Sequence, residues 1–546
     1  MSATIRRLVD PDGRDRYGPY LTWLSGGALA LNLLLVLGLL GVLAANGLDY
    51  FWQKDLILLT LDDGRQLLGE IYQHDTNPTD GTRRLQLKVG NRDMTGVDFV
   101  WIDEASIAEQ AHPEAAIALE RREWGNFYGF MVELRVGDRI VARGADEVWQ
   151  AFPPLHRQKH ALLAQIEDLE SHEIGDINYE IERLRLRRRK LDITKMPEAA
   201  RQRRQSEIDR LIAPQQAHYE QLAERLFDLR REWQTGTLVM QTADGTRKEM
   251  PVGGVVRALR PNSMGIPGKL LLYSSRLWQF VADDPRESNT EGGIFPAIFG
   301  TVMMVFLMTL VVTPLGVLAA VYLREYAKQG LLVQSVRIAV NNLTSVPSIV
   351  FGIFGLGFFV YLVGGTIDRL FFPAALPTPT YGTGGILWAA LTLALLTVPV
   401  VIVATEEGLA SVPRVVREGS LALGATKFET TWKVVVPAAA PGILTGMILA
   451  MARAAGEVAP LMIVGMVKLA PALPVDHHFP FVHLERKFMH LGFHIYDVGF
   501  QSPNVDAVKP LVFATALLLI LVVLAMNLVA IVIRNHLRNK YRVPAF

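Results

Sequence analysis

The sequence lacks several features that would point to common function classes. It contains no cysteine in 546 residues, which excludes disulfides, thiolate metal sites and cysteine nucleophiles. No GxxxxGK[ST] pattern of a phosphate-binding P-loop occurs. The net charge is only +1, so no global basic field indicates nucleic acid. We therefore expect no cofactor bound by this chain, no ATP hydrolysis by it and no nucleic-acid partner.

Hydrophobic residues, by contrast, make up half of the chain. They are concentrated in six stretches, each close to the roughly 20 residues that a helix needs to cross a bilayer. The first stretch is longer than the core of a typical signal peptide and has no convincing cleavage site after it, so we predict a retained membrane helix. The predicted spans lie near residues 21–45, 294–323, 338–364, 384–404, 441–467 and 511–533.

Positive charges predict the orientation of these spans. Lysine and arginine collect in four short segments, which six spans place on one side of the membrane. The positive-inside rule assigns that side to the cytoplasm, with both termini there and residues 47–290 outside. The charges are Arg6, Arg7, Arg14 and Arg16; Arg324, Lys328 and Arg337; Arg414, Arg417, Lys427 and Lys433; and Arg534, Arg538, Lys540 and Arg542.

The outer region combines two kinds of pattern. Alternating stretches at 66–72 and 84–89 predict β-strands. Between the β-rich parts, apolar residues recur at steps of three and four, which indicates a coiled-coil helical hairpin that breaks near Pro197. The seam is predicted to comprise Ile166, Leu169, Ile177, Ile181, Leu184 and Leu191, then Ile208, Leu211, Gln215, Tyr219, Leu222, Leu226, Leu229 and Trp233.

These patterns divide the chain into five parts. We predict a mainly α membrane protein whose outer domain is β-rich and carries the hairpin. The parts are a cytoplasmic tail and first span at 1–46, β-rich segments at 47–155 and 235–289, the hairpin at 156–234, and a membrane core at 290–546.

The segment 411–437, between the fourth and fifth spans, is predicted to form a helix, a turn and a second helix. Ser411 can cap the first helix, with Pro413 in its first turn. Gly424 is placed to end that helix with a positive φ angle. This segment is called the 411–437 loop below.

The second helix of the loop has its own start signal. Thr426 and Glu429 have the spacing of a capping box. Pro437 and Pro441 are predicted to mark the return into the membrane. A compact helical unit of this kind is suited to docking in a groove of a partner.

The loop resembles a known motif. The spacing of Glu418, Gly419 and Ser420, then Gly424, then Val434, Val436 and Pro437 is similar to the EAA loop of bacterial ABC importer permeases. Gly419 and Ser420 depart from the usual alanines, and the two valines from the usual isoleucine and leucine. The resemblance implies a type I ABC importer permease fold of six transmembrane helices, in which these residues contact a separate ATPase.

Flanking segments narrow the resemblance to PstA, a family of permease subunits of phosphate importers. It implies a bacterial inner-membrane protein, with residues 47–290 periplasmic, that translocates inorganic phosphate. The implied partners are a second permease subunit (PstC-like), an ATPase dimer (PstB-like) that binds ATP and Mg²⁺, a periplasmic phosphate-binding protein (PstS-like) and membrane lipid. The matching segments are 285–287, 292–298, 322–326, 342–350 and 453–460.

Two charged residues interrupt the fifth hydrophobic stretch. Arg453 and Glu457 are four positions apart on a predicted helix, which places them on one face. Charges inside a membrane segment usually face a pathway or each other. We predict that they lie on the substrate pathway; a buried structural ion pair is the alternative.

Other interpretations remain open at this stage. A permease for sulfate or molybdate fits the general loop motif equally well. A membrane-anchored coiled-coil sensor or scaffold is the alternative from a different class, although the cytoplasmic segments are short. We interpret the histidines of the last outer loop as surface residues rather than metal ligands, namely His477, His478, His483, His490 and His494.

Overall fold

A computed structural model describes residues 18–78, 81–502 and 505–540. Five of the arginines used to predict the orientation lie outside the described residues, namely Arg6, Arg7, Arg14, Arg16 and Arg542. The fold is mainly helical, as predicted. The helices are α1 Gly18–Asp49, α2 Arg92–Thr95, α3 Ala145–Asp168, α4 Ile174–Ile193, α5 Glu198–Gln234, α6 Ile266–Ala282, α7 Phe295–Val321, α8 Leu331–Leu343, α9 Ser348–Phe354, α10 Gly365–Phe371, α11 Ile386–Ala410, α12 Arg414–Ala422, α13 Lys427–Glu429, α14 Val436–Gly456, α15 Ala459–Val464, α16 Leu491–Tyr496 and α17 Val505–Lys540.

Six helices in the described ranges are long and apolar enough to cross a membrane, which confirms the predicted number. The predicted third span began too early, because α8 is a separate helix and Pro347 starts the next one. The predicted fifth span both began and ended too late. The six segments are Tyr20–Asp49, Phe295–Tyr326, Ser348–Phe371, Ile386–Ala410, Lys427–Gly456 and Val508–Asn539.

The fourth span, α11, is the centre of the membrane core. Two thirds of the residues in its most apolar 18-residue stretch are buried. It packs against α7 on one side and α14 on the other. Small residues allow the close approach to α14: a Cβ built on Gly442 would lie 2.5 Å from the Cα of Gly408. Helices in a membrane associate through such small-residue contacts, because lipid provides no hydrophobic driving force between them. This packing fixes the position of α14 and therefore of Arg453.

Two antiparallel sheets form the β-rich part of the outer region. One has the strand order β4-β3-β2-β1-β5, and the other the order β10-β9-β7-β6-β11 with β8 beside β7. Each buries one apolar face, as alternation predicts. The strands are β1 Ile57–Leu61, β2 Gln66–Thr76, β3 Arg83–Lys88, β4 Phe99–Asp103, β5 Ile107–Ala111, β6 Ile117–Arg121, β7 Phe127–Val136, β8 Arg139–Arg143, β9 Thr237–Gln241, β10 Arg247–Pro251, β11 Val255–Leu259, and the short pair β12 Pro285–Arg286 and β13 Glu291–Gly292.

A helical hairpin interrupts the second sheet between β8 and β9. Helices α3 and α4, joined by a π-helical segment Leu169–Glu173, form the first arm, which begins at Ala145, and α5 forms the second. The seam prediction was partly wrong in α5: Leu211 is 52% exposed, and its neighbour Ile212 is buried instead. Pro214 lies beyond them in the same helix, and a proline inside a helix bends it and shifts the phase of its buried face.

Charged contacts within the outer region hold α6 and the segment after it, which lead into the membrane core. Arg276 of α6 pairs with Glu120 of β6, and Glu287 pairs with Arg92 while its other oxygen accepts from the backbone N–H of Gly125 at 2.8 Å. A cavity of about 360 Å³ lies where the outer region meets the core, and its lining includes Arg276 of the outer region with Glu291 and Lys468 of the core. Charged side chains from both parts therefore face this cavity.

Candidate functional site

The 411–437 loop begins with α12, and its start differs from the prediction. Ser411 does not cap α12, because its hydroxyl donates to the carbonyl of Gly408 at 2.8 Å and closes the end of α11. Pro413 is the N-cap residue and lies before the helix, with a ψ angle of 144°. A proline disfavours the helical conformation in the residue that precedes it, so the chain leaves α11 here and starts a new helix.

Gly424 ends α12 as predicted, with a φ angle of +87°. The N–H of Gly424 donates to the carbonyl of Leu421 at 3.0 Å, and the N–H of Ala425 to that of Ser420 at 3.2 Å. This pair of hydrogen bonds is the Schellman termination. A Cβ at Gly424 would meet no atom within 4 Å, so the backbone conformation alone selects glycine here.

The predicted capping box at the start of α13 is confirmed. The hydroxyl of Thr426 accepts from the N–H of Glu429 at 3.2 Å, and the carboxylate of Glu429 accepts from the N–H of Thr426 at 3.1 Å. Two otherwise unpaired backbone donors are thereby satisfied. The Ser420 and Thr430 hydroxyls are 2.9 Å apart and connect the two halves of the loop.

The second half of the loop continues into the fifth span without a break at Pro437. A π-helical segment, Thr430–Val435, joins α13 to α14, and Lys427–Gly456 forms one helical run. Pro437 lies in the first turn of α14, where the change from π to α hydrogen bonding tolerates a residue with no N–H. Val434 and Val436 are partly buried on either side of this transition.

The free surface of the loop is partly apolar. Leu423 is 91% exposed, Val415 76% and Phe428 63%. Glu418 and Gly419 are exposed as well, whereas Ser420 is half-buried. Exposed apolar side chains on an ordered loop mark a surface for contact with a protein or a membrane.

Arg453 and Glu457 lie together at the other end of this helical run. Arg453 is in its last turn, but the helix ends at Gly456, and Glu457 follows with an extended ψ of 124°. The sequence predicted that the two residues share one helix face. That prediction was wrong, because the helix ends before Glu457. The Nε of Arg453 is nevertheless 3.6 Å from Oε1 of Glu457, and their side chains are 34% and 21% exposed. The contact is longer than a hydrogen bond and is open to a third group.

Comparisons with known proteins agree with this geometry. Residues 312–543 match the family of binding-protein-dependent transport system inner membrane components. The probable ABC transporter permease protein YqgI of Bacillus subtilis is 32% identical over 258 residues, which are 46% of this chain and 81% of that protein. This chain belongs to that family of inner membrane components.

Two further similarities accompany this result. The phosphate transport system permease protein PstA of Yersinia pestis is 34% identical over 46% of this chain and 76% of that protein. An inward-facing structure of the MetNI methionine ABC transporter is 19% identical, with a TM-score of 0.33 over 50% of this chain and 99% of that chain. The predicted family is confirmed, and the permease is a multi-pass transport subunit rather than an enzyme.

The histidines near the end of the permease core correct one interpretation. His483, His490 and His494 are not surface residues, because they are only 5%, 1% and 2% exposed. Burial lowers the pKa of His490 and that of His494 to about 4; for His494 the charge of Lys468 adds to the effect. Both imidazoles are therefore neutral at physiological pH. Only His494 lies in α16, and His490 is its N-cap residue, so the helical i, i+4 spacing signalled neither this arrangement nor the burial.

Sequence reasoning did not predict the ion pair between Arg337 and Glu406. Arg337 was counted only as an orientation charge, but its Nε is 3.1 Å from Oε1 of Glu406 at the end of the fourth span. The pair joins α8 to α11 and lines a cavity of about 250 Å³. The two residues are 69 positions apart, so no spacing in the sequence signals the contact.

Proposed function

We propose that this permease is one transmembrane subunit of an ATP-driven importer of inorganic phosphate. The observation that supports phosphate as the substrate is the similarity to the phosphate transport system permease PstA of Yersinia pestis, which extends over 76% of that protein. The family alone supports import dependent on a binding protein. Phosphate is therefore proposed from the relative, and the route from the residues of this chain.

The proposed topology has both termini in the cytoplasm and residues 47–290 in the periplasm. The positive-inside distribution supports it, since Arg324, Lys328 and Arg337 flank one end of the second and third spans. The periplasmic part would comprise the two sheets and the hairpin, whose arms bury Leu169, Ile177, Ile181 and Leu222 as a coiled-coil seam would.

The proposed partners follow from this orientation. The exposed surface of the 411–437 loop, with Leu423 at its turn, docks an ATPase dimer (PstB-like), which binds ATP and Mg²⁺. A homologous permease (PstC-like) completes the pathway, and a periplasmic phosphate-binding protein (PstS-like) delivers the substrate. The permease itself needs no cofactor for this role.

The helical run from the loop to Arg453 supports a direct mechanical coupling. It contains 30 residues, which corresponds to about 45 Å at 1.5 Å per residue. Movement of the loop on the ATPase is transmitted along this run, because the helix has no break at Pro437. Arg453 and Glu457, at its far end, then change position relative to the centre of the core.

Arg453 is the proposed contact for phosphate. A guanidinium group donates to two oxygens of a phosphate at once, which gives both strength and orientation. Glu457, 3.6 Å away, holds the guanidinium in place and repels the anion when the pathway is closed. The open side of the pair leaves room for the substrate.

The test is ATP-dependent uptake in proteoliposomes that contain this permease with its partner permease, ATPase and binding protein. Labelled phosphate should enter only with ATP, and excess unlabelled sulfate or molybdate should not compete. Uptake of sulfate or molybdate in place of phosphate would show that the transported substrate is another oxyanion. Absence of ATP-dependent uptake of all three anions, in an assembled complex, would overturn it.

A further inference from the structure

Three side chains with metal-binding atoms meet where the hairpin contacts the loop between the fifth and sixth spans. His477 and His478 belong to that loop, and Asp176 lies in the first turn of α4. The Nε2 atoms of His477 and His478 lie 2.7 and 3.1 Å from the same oxygen, Oδ1 of Asp176. The three donor atoms are within 4.8 Å of one another.

We propose that Asp176, His477 and His478 bind one divalent transition-metal ion, Zn²⁺ above all, which fastens the hairpin to the membrane core. Imidazole nitrogen and carboxylate oxygen are ligands that zinc prefers, at about 2.0–2.2 Å. Ligand atoms at such distances are about 3.3 Å apart in a tetrahedral site. Each imidazole needs to move away from the carboxylate oxygen by only about 0.2–0.6 Å to reach this spacing, and water fills the fourth position.

A second carboxylate supports this arrangement from behind. Oδ1 of Asp476 accepts from the backbone N–H of His478 at 2.8 Å and lies 3.6 Å from the Nδ1 of the same residue. Arg486 and His483 hold Asp476 at 2.5 and 2.9 Å. Histidines that bind zinc usually donate the N–H of their other nitrogen to a carboxylate. At 3.6 Å the contact with Asp476 is longer than a hydrogen bond and has to shorten when the metal binds.

The site is also preformed by contacts that need no metal. The ring centroid of Tyr179, on the same helix as Asp176, is 4.2 Å from that of His478, and its hydroxyl donates to the carbonyl of Phe479 at 2.9 Å. The side chains of His477 and Asp176 are 56% and 51% exposed, which gives the ion a path from solvent. A preformed, accessible donor set lowers the free energy that binding must supply for ordering.

The simplest competing explanation is a hydrogen-bonded contact without metal, in which both imidazoles donate to Asp176. The two explanations differ in what chelation does. Metal removal leaves a hydrogen-bonded contact unchanged, whereas it loosens the contact between the hairpin and the loop if zinc joins them. The proposal does not depend on the transported substrate, so it is tested separately from transport.

The test uses the full chain, purified in detergent without a histidine tag and stripped with a chelator. Zinc titration should show one tight site in the wild type. Asp176→Asn and the double variant His477→Ala/His478→Ala should weaken binding by about 100-fold or more, since each removes ligands. His218→Ala, at an exposed histidine elsewhere on the hairpin, is the matched control and should bind like wild type.

Hydrogen exchange gives the second measurement. Zinc should slow exchange in residues 170–180 and 474–484 of the wild type and of His218→Ala, but not of the ligand variants. X-ray absorption should report nitrogen and oxygen neighbours, with two imidazoles. Equal zinc affinity in the wild type and the double histidine variant would overturn the proposal, as would the absence of a tight site for zinc, nickel or copper in a folded wild-type chain.

Discussion

Arg417, in the first helix of the 411–437 loop, pairs with Glu325 at the end of the second span, with 3.1 Å between Nη2 and Oε1. The same guanidinium donates to the carbonyls of Leu409 and Val412 at 2.7 and 2.5 Å. The two charged side chains are only 19% and 14% exposed. The loop is thus attached to the second span by a charge pair and to the fourth and fifth by the chain itself.

Arg417→Ala tests this attachment. It should lower the free energy of unfolding by about 1–3 kcal/mol, because it leaves Glu325 partly buried without its partner. ATPase binding should survive, while transport per ATP hydrolysed falls. The matched control is Arg231→Ala, whose partner Asp228 is 60% exposed and whose loss should cost about 0–1 kcal/mol. Thermal unfolding and coupled uptake measure both effects; identical behaviour of the two variants would contradict the assignment.

Gly424→Ala tests the turn of the loop. An alanine at a φ of +87° is strained by about 1–2 kcal/mol, although its Cβ has space. We expect weaker recovery of the ATPase in a detergent pull-down and reduced uptake. Gly365→Ala is the control, since Gly365 lies outside the loop at the start of α10, a Cβ there also meets no atom within 4 Å and alanine favours a helix. Full ATPase recovery and uptake with Gly424→Ala would argue against the loop as the docking element.

Arg453→Ala tests the substrate pathway. Uptake should be abolished while the permease still inserts and assembles, because the partly exposed Glu457 tolerates loss of its neighbour. Arg453→Lys should also fail, since an ammonium group lacks the two-pronged geometry. Lys487→Ala, which removes an exposed cation from the last outer loop, should transport normally. Normal uptake by assembled Arg453→Ala would show that Arg453 is not part of the substrate pathway.

The raised pKa of Glu291 predicts that the stability of the junction between the outer region and the core depends on pH. Burial, followed by the charge of Glu287, raises the pKa of Glu291 from 4.5 to about 7, against the opposing effects of Lys88 and Arg286. Between these pH values the folded chain keeps a proton that the unfolded chain has lost. The contribution of Glu291 to the free energy of unfolding therefore falls as the pH rises from 4.5 to 7, by about 1–3 kcal/mol in total.

The measurement is thermal unfolding in detergent at pH 5 and pH 8. Glu291→Gln should lose less stability between the two conditions than the wild type, because the amide does not titrate. Glu224→Gln, at an exposed position of α5, should keep the wild-type difference. An equal loss in wild type and Glu291→Gln would show that Glu291 is not the titrating group.

The topology has a direct chemical test, because the chain has no native cysteine. A cysteine at Gln216, exposed on α5, should react with a membrane-impermeant thiol reagent in intact spheroplasts. A cysteine at Lys328, exposed after the second span, should react only after lysis. The opposite pattern would reverse the proposed orientation.

Local signals predicted the parts of the site that depend on neighbouring residues. The positive φ of Gly424 and the Thr426–Glu429 capping box were confirmed because both rest on backbone groups within a few positions. The role of Ser411 was predicted wrongly, because it closes α11 instead of capping α12. At this position two local arrangements are close in free energy, and packing against neighbouring helices selects between them.

The sequence by itself determined the six spans, the class of the protein and the identity of the loop. The number of spans follows from apolar length, whereas the class of the protein and the identity of the loop follow from the resemblance of its motifs to a known family. Only the tertiary structure decided which distant residues meet: Arg417 with Glu325, Arg337 with Glu406, and Asp176 with His477. Such pairs are absent from any local pattern, because burial and helix packing bring them together and a side chain's partner is fixed only when its surroundings are complete.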